Sequence, residues 1–105
     1  MNCGSFTSWT DLIVTPTLAV PAFDARPAGQ VAMTPESMLG WTPFSYPFNW
    51  SGNPAVSIPC GFTSEGLPVG LQIVARRFDD LGVLQASAAF EAARPWVQHR
   101  PVIGA

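Results

Sequence analysis

The sequence predicts an α/β segment made of a strand, a long loop, a short helix, a β-hairpin and a long terminal helix. Three observations carry this reading. Asp11-Leu-Ile-Val-Thr-Pro16 is a continuous apolar run cut off by proline. Ala55–Ile58 and Leu67–Ala75 are further apolar runs facing each other across Thr63-Ser-Glu-Gly66. Asp79-Asp80 opens a stretch that continues at helical spacing to about Arg94, where Pro95 follows.

The first run is unbroken rather than alternating, the pattern of a strand covered on both faces. Pro16 has no N–H to give to a ladder, so pairing is expected to end there. From Leu18 to Pro43 the chain is punctuated by Pro21, Pro27, Gly29, Pro35, Gly40 and Pro43 without a clear period, which predicts a long surface loop. Phe44–Gly52 predicts a short helix, with Pro47 accommodated in its first turn and Gly52 just past its end. Ala55–Ile58 is then a strand closed by Pro59. Gly66 supplies the positive φ required by a hairpin built from a type I turn and a bulge. The return strand Leu67–Ala75 has Gln72 as the sole polar break between Val69 and Val74, so a central place in the sheet is expected.

The terminal helix has acids in its first turn, where the dipole favours them, and Asp79 is the expected N-cap. With about 100° between successive residues, Leu81, Leu84, Ala88 and Ala92 gather on one side. Val83, Ala86, Phe90 and Ala93 gather nearly opposite, and Asp80, Ser87, Glu91 and Arg94 form a narrow polar ridge between the two. A surface helix ordinarily carries one apolar stripe. This one carries two, so one face can cover the local sheet while the other requires a neighbour.

Composition points the same way. The 105 residues are 48% hydrophobic and only 11% charged, against a usual charged share of about 25%. A small domain has much surface per volume and normally charges it. This chain is therefore expected to be the inner part of something larger, or half of an extensive interface. Disorder is excluded by the same numbers. The formal charge is −2 and the five arginines are scattered apart from Arg76-Arg77, so no basic stripe marks a nucleic-acid partner. No apolar run reaches the roughly 18 residues of a membrane span. Met1-Asn-Cys-Gly-Ser-Phe has no basic segment before an apolar core, which argues against a secretory signal and favours the cytoplasm.

Individual side chains offer few sites. Cys3, Cys60 and His99 lack zinc-site spacing. Cys60 with His99 as thiol and base is set against a plain structural cysteine, which the absence of a third orienting group favours. Asp79-Asp80 reads as capping rather than as a carboxylate pair. Trp9, Trp41, Trp50 and Trp96 are irregularly spaced, as packing residues are. Asn49 reads as a structural amide bonding to backbone.

Four blocks in order resemble the amidase signature family, from about Trp9 to Pro101. They are Asp11-Leu-Ile-Val-Thr-Pro-Thr17; Asn49-x-x-Gly52-x-Pro54-Ala55 with Ser57-Ile-Pro59-Cys-Gly61; Gly66-Leu-Pro-Val-Gly-Leu-Gln-Ile73; and Phe78-Asp-Asp through Glu91. The resemblance implies the C-terminal segment of a mixed α/β sheet wrapped by helices, and a hydrolase acting on carbon–nitrogen (amide) bonds. It implies a serine nucleophile, a second serine joined through a cis peptide and a lysine base, all upstream of this stretch. The chain holds no lysine, and Ser51, Ser57 and Ser64 do not sit in a glycine-rich serine pair. Residues 1–105 are therefore expected to be a partial amidase domain, inactive alone, with no catalytic residue, metal or organic cofactor of their own. The implied partners are a small-molecule amide substrate and the N-terminal remainder of the domain, and a homo-oligomer is compatible. The alternative is a non-catalytic interaction module, or a complementing subunit that docks on an N-terminal amidase chain. In amidotransferase subunits resembling this stretch, an acid shortly before the Asn-x-x-Gly block helps hold glutamine. Trp41-Thr-Pro-Phe44 carries none, which favours a general amidase for an apolar or aromatic amide. Phe44, Tyr46 and Phe48 are then pocket candidates, with structural packing as the competing role.

Overall fold

The computed structural model describes residues 11–25 and 39–104. Strand β1 spans Leu12–Pro16, helix α1 Tyr46–Ser51, strand β2 Ala55–Phe62, strand β3 Pro68–Ala75 and helix α2 Asp80–Ala93. The three strands form one antiparallel sheet in the order β1-β3-β2. The strand interrupted by Gln72 is central, as its apolar character requires.

The hairpin forms as its residues dictate. Gly66 N–H donates to Thr63 O at 3.0 Å, and Thr63 N–H to Leu67 O at 2.8 Å. Gly66 sits at φ +83°, a region a side chain would strain. Strand β2 does not stop at Pro59. It runs on to Phe62, because the register shifts between Pro59 and Gly61 and leaves Cys60 as the extra residue of a bulge. A proline is tolerated there because β2 is an edge strand. Pro16 is the last residue of β1, yet Thr17 N–H still reaches Gly70 O at 3.1 Å.

Strand β1 departs from the two-sided burial expected of it. Its exposure alternates, and Val14 is 58% exposed. The pairing explains why. Val14, Ile73 and Val56 share one face, as do Pro16, Leu71 and Ile58. Helix α2 packs on β2 and β3, burying Ile58, Ile73 and Val83, and leaves the β1 edge of that face open. Thr15, Gln72 and Ser57 stand in register on the opposite face.

Helix α1 has Pro47 in its first turn and Gly52 as a left-handed cap at φ +73°. Of the expected long loop, residues 18–25 carry neither helix nor strand, Leu39 has helical backbone, and 26–38 lie outside the described residues. Cys3 and Trp9 lie outside them too. Asp79 caps α2, its Oδ1 accepting from Gly82 N–H at 3.0 Å. Asp79→Ala should cost about 1 kcal/mol, read as a lower urea midpoint with an unchanged slope. The two apolar faces of α2 separate as expected: Val83 is buried and Phe90 half-buried, while Leu81 and Leu84 remain 65% and 63% exposed.

Candidate functional site

The described residues line a half-open cavity of about 370 Å³ where the chain leaves β1 beside the β2–β3 hairpin. Thr17 to Ala22 form one side; Ser57, Thr63 and Pro68 to Gly70 form the other. Proline at 16 ends the strand, so the backbone peels away from β3 after the Thr17–Gly70 bond and opens the gap. Two of its hydroxyls, Thr17 Oγ1 and Ser57 Oγ, bond to each other 2.7 Å apart in an exposed position. Gly70 makes room for them. A Cβ there would lie 2.7 Å from Ser57 Oγ and 2.8 Å from Thr17 Oγ1, closer than such atoms approach. Among the described residues that line it, no side chain is charged.

A second set of bonds ties the segment around α1 to the sheet. Gln72 is 6% exposed and donates from Nε2 to Thr15 Oγ1 at 2.9 Å and to Phe44 O at 2.8 Å. One carboxamide thus joins β3, β1 and the approach to α1. Ser45 Oγ donates to Thr17 O at 3.4 Å, linking that approach to the cavity wall. At the other end of α1, Asn53 Nδ2 donates to Ala75 O at 2.9 Å, and Ala75 N–H donates to Pro54 O at 3.1 Å.

Phe44, Tyr46 and Phe48 are half-buried in this tethered segment, and none of the three lines the cavity. Phe44 contributes its carbonyl to Gln72, and the Tyr46 ring meets Trp50 edge-on with centroids 5.2 Å apart. Asn49 is exposed and the structural amide of the block is Asn53, whose Oδ1 also accepts from Ser51 Oγ. Trp41 packs edge-on against Phe23 at 5.7 Å. The Cys60 thiol lies 3.5 Å from Val69 O, and the His99 ring is stacked edge-on with Phe62 at 5.1 Å. Sequence reasoning weighs Ser57 only as a catalytic serine, sets it aside, and does not bring it together with Thr17 and Gly70. The available signal was a serine inside an apolar strand opposite a glycine-flanked one. Among the described residues no group of three His, Cys, Asp or Glu is placed to hold a metal ion. No helix among them is long and apolar enough to cross a membrane.

The amidase family model matches residues 3–84. The chain belongs to the amidase family. An acylamidase from Rhodococcus erythropolis is 45% identical over 95 residues, covering 87% of this chain and 20% of that enzyme. The crystal structure of a glutamyl-tRNA(Gln) amidotransferase subunit from Thermotoga maritima superposes with a TM-score of 0.74 at 37% identity, over 88% of this chain and 19% of that one. A bacterial aryl acylamidase of the amidase signature family gives a TM-score of 0.73 at 36% identity, over 95% of this chain and 23% of its own. The fold is thus that of amidase signature enzymes. The chain spans about a fifth of the length of the amidase relatives it matches.

Proposed function

We propose that these residues form the C-terminal part of an amidase that hydrolyses an uncharged apolar or aromatic amide. In this reading they supply sheet core, one pocket wall and a covering helix. The serine nucleophile, its cis-linked serine partner and the lysine base come from residues outside the 105. The observation that carries it is the combination of family membership with a chain that contains no lysine, so the general base of that chemistry has no candidate here. Phe44, Tyr46 and Phe48 are assigned to the proposed wall, in a segment held to Thr17 just past β1 and to β3 and apart from the cavity lined by Thr17 to Ala22. The absence of an acid in Trp41–Phe44 supports a neutral amide over glutamine.

The 105-residue chain alone is expected to release no amine or ammonia from amides. Co-expression with an amidase chain that bears the serines and lysine but lacks this segment should restore turnover. Activity of the isolated chain that vanishes in Cys60→Ala would favour a thiol mechanism instead. A second reading, a non-catalytic docking module, is favoured by the open Leu81–Leu84 face of α2. A cooperative melt together with monomeric sedimentation of the isolated chain would support that module; aggregation with strong dye binding supports an incomplete domain.

A further inference from the structure

We draw no further inference here: the strongest candidate, the apolar surface patch along the outer edge of β1 where Val14 is 58% exposed, carries nothing because nothing in the structure shows what covers it.

Discussion

Replacing Gln72 by methionine is expected to destabilise the protein by about 2–4 kcal/mol, although the side chains are close in size and the new one is more apolar. Two hydrogen bonds disappear, to Thr15 Oγ1 and to Phe44 O. Each is worth about 1 kcal/mol net, and a buried acceptor left without a donor costs about 1–3 kcal/mol more. Burial of the thioether returns only part of this. Gln72→Glu should do worse, because a carboxylate would face Phe44 O with nothing to donate and would be charged at a site that is 6% exposed. Urea unfolding followed by tryptophan fluorescence reads both variants. A methionine variant within about 0.5 kcal/mol of wild type, the range of ordinary surface changes, would mean that the carboxamide is not what holds the Phe44 segment to the sheet. The loss should also appear locally, as faster amide exchange at Asn49 and Gly52, whose N–H groups bond to Ser45 O and Phe48 O.

Gln72 also shows how far the sequence could be read. A single amide in an otherwise apolar strand identified β3 as central, since only a strand with neighbours on both sides buries so much aliphatic surface. The partners of that amide were not legible. Thr15 lies 57 residues away and Phe44 lies 28 away, and nothing local in the sequence encodes those separations. Short-range chemistry was read well for the same reason. The Asp79 cap, the Gly66 turn and the Gly52 cap each depend on atoms within four residues. Pro59 misled because its effect depends on strand order: proline would break a central strand, and β2 is at the edge. The continuous apolar run at Ile13 implied cover on both faces, yet within these residues β1 has one open face. The hydroxyl pair of Thr17 and Ser57 was invisible because it joins residues 40 apart in the chain.

The open face of α2 bears most directly on what these residues were selected to do. Leu81→Glu with Leu84→Glu is expected to leave the local fold intact, since the side chains are 65% and 63% exposed and α2 meets the sheet through Val83. The same pair should abolish association with the rest of an amidase domain. Burying two leucines is worth roughly 3–6 kcal/mol, about a hundredfold to ten-thousandfold in affinity, and two carboxylates in that interface add a desolvation cost. Co-purification of the double variant with a complementing N-terminal chain should therefore fall below detection, and restored amide turnover with it. Val83→Glu is the contrast. It places a charge at a position 4% exposed and should unfold the segment itself, visible as lost helical circular dichroism. Were the Leu81/Leu84 variant to co-purify and turn over amide like wild type, α2 would not be the covering helix of a larger hydrolase, and its second apolar stripe would need another explanation.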